Sequence, residues 1–139
     1  MRSRFFAALA LAAVPMLAAA CGGIVDPSQN QVETFNGQIT VGGRAVHGFQ
    51  ASRTGEISVK ITALQPSNSN TFVGIIWTGR ASDGTCNGQL GALFGQNNFA
   101  QVNVPAISAQ ILQGGYCITV FDVGTFTTTT SYTMTVSHP

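Results

Sequence analysis

The chain has 139 residues, 45% of them apolar and only 8% charged, with six Lys and Arg against five Asp and Glu. A length of this order suits one small domain, the apolar content excludes a disordered chain, and the low charge leaves Ser, Thr, Asn and Gln to solvate the surface. Arg44, Arg53, Lys60 and Arg80 are scattered rather than clustered, which excludes nucleic-acid binding through phosphate neutralisation.

Arg2 and Arg4 precede an uncharged run from Phe5 to Ala20, which closes on Leu17-Ala18-Ala19-Ala20-Cys21. That run is shorter than the roughly 18 to 20 residues that cross a hydrocarbon core, and Pro15 disfavours a helix there. Residues 1–20 therefore read as a secretory signal peptide. Small side chains at 18–20 let an extended chain enter a peptidase cleft, and the thiol that follows can be alkylated by a lipid. The segment resembles a bacterial lipoprotein signal with its lipobox. Leu17 stands four residues before the cysteine, and Ala18 occupies the place where a larger aliphatic residue is commonest. The resemblance implies a lipid on Cys21 and a membrane anchor; ordinary cleavage after an Ala-x-Ala site is the alternative. Loss of Arg2 and Arg4 with the signal leaves four basic residues against five acidic ones.

Residues 21–31 lack periodicity and contain Gly22, Gly23, Pro27 and several amides. They read as a lipidated cysteine with a flexible tether, ten residues of which span roughly 17 Å on average. Gly22 stands where an aspartate commonly retains lipoproteins at the inner membrane. The same resemblance therefore implies an exported protein held in the cell envelope, at the outer membrane where one exists.

Residues 32–139 read as one β domain. Strands are expected at 37–41 and 45–50, then at 56–63, where polar and apolar residues alternate without exception from Glu56 to Ala63. Further strands are expected at 72–77, 89–94, 100–104, 116–123 and 131–137. Turn residues separate them, among them Gly42-Gly43, Ser82-Asp83-Gly84, Gln96-Asn97-Asn98 and Gly114-Gly115. Ala106 to Gln113 is ambiguous between two helical turns and a bulged strand. About eight short strands without a long amphipathic helix predict an all-β, two-sheet antiparallel sandwich of jelly-roll type.

With Cys21 carrying lipid, Cys86 and Cys117 remain, and in an oxidising compartment they are expected to pair. Closing a loop of about 30 residues would stabilise the fold by roughly 3.5 kcal/mol. Neither lies in a Cys-x-x-Cys pair, so a redox or zinc role has no support. The Thr-rich run 125–135 reads as a loop and then a strand with threonine on its outer face. The other reading, a hydroxyl ladder that binds ice or glycans, lacks the fixed repeat such a ladder needs.

Val46-His47-Gly48-Phe49, the alternating strand 56–63, Gly114-Gly115-Tyr116-Cys117-Ile118-Thr119-Val120-Phe121-Asp122 and the closing Tyr132-Thr133-Met134-Thr135-Val136 together resemble the bacterial pre-peptidase C-terminal domain. This resemblance spans roughly residues 32–139. It implies an accessory β-sandwich without chemistry of its own, usually appended to a hydrolase, whereas here the domain stands alone behind an anchor. Some relatives hold calcium; the acids of this chain are too dispersed to assign ligands.

The inventory for catalysis is thin: His47, His138, Asp26, Glu33, Glu56, Asp83 and Asp122, without a nucleophile elbow, zinc-protease helix, phosphate loop or EF-hand. His138, next to the last residue, reads as exposed at a fraying end. Asp83 and Asp122 read first as turn residues. No cofactor, metal site or catalytic residue is expected. The weak ligand-binding candidate is Trp77, an aromatic placed where a strand reaches the rim. The function expected is a noncatalytic, lipid-anchored envelope protein that presents its sandwich to a protein or glycan partner. The alternative is an accessory subunit serving a secreted hydrolase in trans.

Overall fold

The computed structural model describes residues 27–66, 71–86 and 91–139. The signal peptide, Cys21 and the first part of the tether lie outside the described residues. Eight strands follow one another: β1 (Gln31–Ile39), β2 (Arg44–Ala51), β3 (Gly55–Gln65), β4 (Val73–Gly79), β5 (Leu93–Ala100), β6 (Pro105–Ile111), β7 (Gly114–Asp122) and β8 (Thr130–His138). They form two four-stranded sheets, ordered β1-β8-β3-β6 and β2-β7-β4-β5, with every neighbouring pair antiparallel. This is the jelly-roll sandwich expected from the sequence.

Alternation decides which side chains meet between the sheets. On β3, Ile57, Val59 and Ile61 point inward, and on β8 so do Tyr132, Met134 and Val136; all six are buried. They pack against Phe49, Ile75, Trp77, Ile118 and Val120 of the second sheet. The register shifts between Ile61 and Ala63. This bulge returns Leu64 to the inner face opposite Tyr132 and lets β3 run on to Gln65.

Three segments differ from expectation. The strand begins at Gln31, and Pro27–Gln29 form a 3-10 turn before it. Arg53 Nη2 donates to the Gln29 carbonyl at 2.8 Å and Asn30 Nδ2 to the Glu56 carbonyl at 3.0 Å, so the last residues of the expected tether dock on the sandwich. Gln96-Asn97-Asn98 is no turn but the middle of β5. Asn97 there completes a bulge, its Oδ1 accepting from the Phe99 amide at 2.8 Å and its Nδ2 donating to the Ala106 carbonyl at 3.0 Å. Of the expected strand 100–104 only a bridge between Val102 and Ile61 remains. The ambiguous segment 106–113 is a strand as far as Ile111, the end of β6, with a register shift opposite Val59 and Lys60, and turns at Leu112 and Gln113.

Candidate functional site

The outer faces of the two sheets are treated differently. Residues of the β1-β8-β3-β6 sheet that alternate with the core point to solvent, and nearly all carry an amide or a hydroxyl: Thr34, Asn36 and Gln38 on β1; Ser131, Thr133, Thr135 and Ser137 on β8; Ser58 and Gln65 on β3; Ser108 and Gln110 on β6. Glu56 and Lys60 add one charge of each sign. Local bonds hold several of these groups in place. Thr133 Oγ1 donates to Asn36 Oδ1 at 2.8 Å, and Asn30 Nδ2 lies 3.3 Å from Ser137 Oγ.

Two open depressions mark this face. One, of about 400 Å³, lies over β1, β8 and the end of β3, lined by Asn36, Gln38, Gln65, Ser131 and Thr133 among others. The other, of about 350 Å³, lies over the opposite ends of β3, β8 and β6, lined by Asn30, Glu56, Ser58, Ser108, Gln110 and Ser137 among others.

The segment after β4 covers part of the outer face of the β2-β7-β4-β5 sheet, around Cys117. Cys86 is bonded to Cys117 of β7, with 5.7 Å between their Cα atoms, which is the pairing expected from the sequence. Gly48 faces Cys117 across the sheet, and a methyl group there would lie 3.0 Å from Cys86 Sγ. Arg80 crosses the same face, its Nη2 donating to the Phe49 carbonyl at 3.2 Å. On the same face Thr78 and Thr119, although they point away from the core, are buried.

The titratable residues do not converge. His47 projects inward from β2, and its Nε2 lies 2.5 Å from the Tyr132 hydroxyl, with the tilted ring of Phe35 centred 4.8 Å away. Burial lowers the pKa of His47 and pushes that of Tyr132 up to about 12. The expectation of an exposed His138 is overturned. It is 1% exposed, packs 4.9 Å from the Phe49 ring and bonds Glu33 Oε1 through Nε2 at 2.8 Å. The inward alternation of β8 carries it into the sandwich, and the Ser52 amide holds the Pro139 carbonyl at 2.9 Å.

Asp122 and Asp83 serve turns. Burial disfavours the Asp122 carboxylate, yet bonds from the amides of Gly42, Gly124, Phe126 and Thr125 outweigh it and set its pKa below the usual value. The hydroxyl of Thr85, then its amide, does the same for Asp83. Among the described residues no three His, Cys, Asp or Glu side chains come together to hold a metal. Trp77, read as a rim residue, is 3% exposed beneath Phe94, whose ring centre lies 5.2 Å away. A bulge between Trp77 and Thr78 inserts Phe94 as the outer member of this pair.

No family model and no curated protein matches the chain. Among solved structures, the mitogen derived from Yersinia pseudotuberculosis superposes with a TM-score of 0.56 at 14% identity, over 79% of this chain and 87% of that one. The likeness is one of fold. PliG of Aeromonas hydrophila, a periplasmic inhibitor of g-type lysozyme, gives a TM-score of 0.48 at 19% identity, over 79% of this chain and 88% of that one.

The two depressions were not among the sites expected from the sequence. The alternating hydroxyls of 131–137 were the available signal, but the amides that complete the face come from strands far away in the chain.

Proposed function

We propose that the chain is an exported, lipid-anchored, noncatalytic envelope protein that binds a neutral glycan across the open face of its β1-β8-β3-β6 sheet. The observation that carries this reading is the pair of depressions on that face, most of whose lining residues carry an amide or a hydroxyl beside apolar carbon. Such groups donate and accept, as sugar hydroxyls do, without the charge that an ionic ligand would select. Each bond contributes only about 1 kcal/mol net, so single sites would be weak, and many copies anchored on one membrane would hold a polymeric glycan by avidity. Export is supported by the basic and apolar N-terminus and by the Cys86–Cys117 disulfide, a bond that persists in oxidising compartments. The resemblance to pre-peptidase C-terminal domains supports the same noncatalytic role.

Two measurements test it. Radiolabelled palmitate should enter the wild-type chain and not Cys21→Ser. The mature chain should be retained on immobilised chitin, a neutral polymer of N-acetylglucosamine, and Thr133→Lys with Gln65→Ala should abolish retention while Gln50→Ala, on the other sheet, leaves it intact. Equal retention of all three proteins, or of none, contradicts the reading.

A further inference from the structure

The end of the sandwich from which the anchor emerges is fixed by the register. Gln31 of β1 pairs with His138, Gly55 with Ile111, Ala51 with Gly114 and Thr78 with Leu93. The Ser52 amide holds Pro139, and Arg53 holds Gln29. The start of β1, the β6–β7 turn and the start of β5 therefore lie together.

At this same end Leu93, Phe94 and Leu112 are 59%, 53% and 64% exposed. Two of them are tied together through Tyr116, whose hydroxyl donates to the Leu112 carbonyl at 2.9 Å and whose ring lies 5.6 Å from that of Phe94. Large apolar groups held exposed side by side on a rigid base mark a contact surface.

From these placements we infer that Leu93, Phe94 and Leu112 rest against the lipid surface that holds the anchor. The inference rests on acylation of Cys21. Pro27 follows that cysteine by only six residues, so even a fully extended chain keeps the sandwich within about 20 Å of the membrane. The exposed Phe99 and Val104 lie at the other end of β5 and beyond it, a strand length of roughly 25 Å farther away. Anchored acyl chains hold the domain at the surface, and shallow insertion of apolar side chains would fix its orientation there. Arg53 adds a positive charge at this end that suits anionic headgroups, and Glu56, the second residue of β3, adds one acid there.

Trp77, the single tryptophan, lies directly beneath Phe94 and serves as the reporter. The purified chain, its acylation read by mass, is reconstituted in phosphatidylethanolamine and phosphatidylglycerol vesicles containing brominated phosphatidylcholine. Trp77 fluorescence should be quenched in the wild type and in Phe99→Asp. Most of that quenching should be lost in Leu93→Asp combined with Leu112→Asp, and in the milder Leu112→Gln it should be reduced with the emission maximum unchanged. Acylated wild type without quenching, or quenching unaffected at both leucines, overturns the membrane contact alone. A concentration-dependent dimer that replaces quenching assigns the patch to a second copy and overturns it too. A chain without acyl groups overturns both the anchor and the contact.

Discussion

The imidazole of His47 and the hydroxyl of Tyr132 meet 2.5 Å apart across the interior of the sandwich, joining β2 of one sheet to β8 of the other over 85 residues of sequence. Tyr132 reaches this position by lying over Gly37 of β1, its register partner. Each residue thereby acquires a property that can be measured.

The pH dependence of stability follows from burial of this pair. Burial lowers the pKa of His47 from 6.5, so the folded state resists protonation more than the unfolded chain does. The neutral imidazole's contribution is present above pH 6.5 and is lost as pH falls through the depressed folded value. Tyr132 has the opposite sign: its pKa is raised from 10.0 to about 12, so its contribution is lost as pH rises through that range. Urea midpoints taken between pH 7 and pH 5 should fall for the wild type, and the fall should be shallower in His47→Phe.

Gly37 admits no side chain. A methyl group there would lie 2.5 Å from the Tyr132 hydroxyl oxygen and 2.6 Å from the ring carbon bearing it, and the ring is buried with its hydroxyl engaged. Gly37→Ala should cost about 1–3 kcal/mol, as overpacking of a core does. Combining it with Tyr132→Ala should remove that additional cost, which a double-mutant cycle by urea denaturation would read.

Reduction of Cys86–Cys117 should destabilise the domain by about 3.5 kcal/mol, because the bond closes a separation of 31 residues and so restricts the unfolded chain. The same treatment frees the cover over β7. Hydrogen exchange at Thr78 and Thr119 should quicken before that at Val136, in the core of the other sheet.

Asp122 is a structural carboxylate whose two oxygens already accept four backbone amides. Asp122→Ala should cost about 1–2 kcal/mol through the amides left without an acceptor. Millimolar calcium should leave the wild-type Tm unchanged. A calcium-dependent rise in Tm that Asp122→Ala abolishes would contradict this assignment.

Local patterning made β3 and β8 legible, since each alternates between a buried and a more exposed face, whereas β7, buried on both faces from Tyr116 to Val120, was legible from its apolar run after Gly114-Gly115. It failed at β5, an edge strand whose amides satisfy its own bulge and so imitate a turn, and at the first half of β1, where polar residues dominate the exposed edge. His138 was misread because position near a chain end suggests fraying, while only the register with Gln31 and the bond to Glu33 reveal that it is docked. Of the candidate site, the threonine face of β8 was visible as a period of two. Asn36, Gln65, Ser108 and Gln110 reach that face through strand pairings that no single segment encodes, so the depressions were not legible. Trp77 was singled out for its ring, but the bulge that places Phe94 above it has no local signature.

The binding claim is tested most directly by nitrogen-15 amide spectra of the mature chain in detergent, titrated with neutral N-acetylglucosamine oligosaccharides. Shifts should concentrate at Asn36, Gln65, Ser108 and Thr133 and leave Val46, Thr78 and Thr119 unmoved. Spectra that do not change, or changes confined to the β2-β7-β4-β5 side, would contradict glycan recognition by the open sheet.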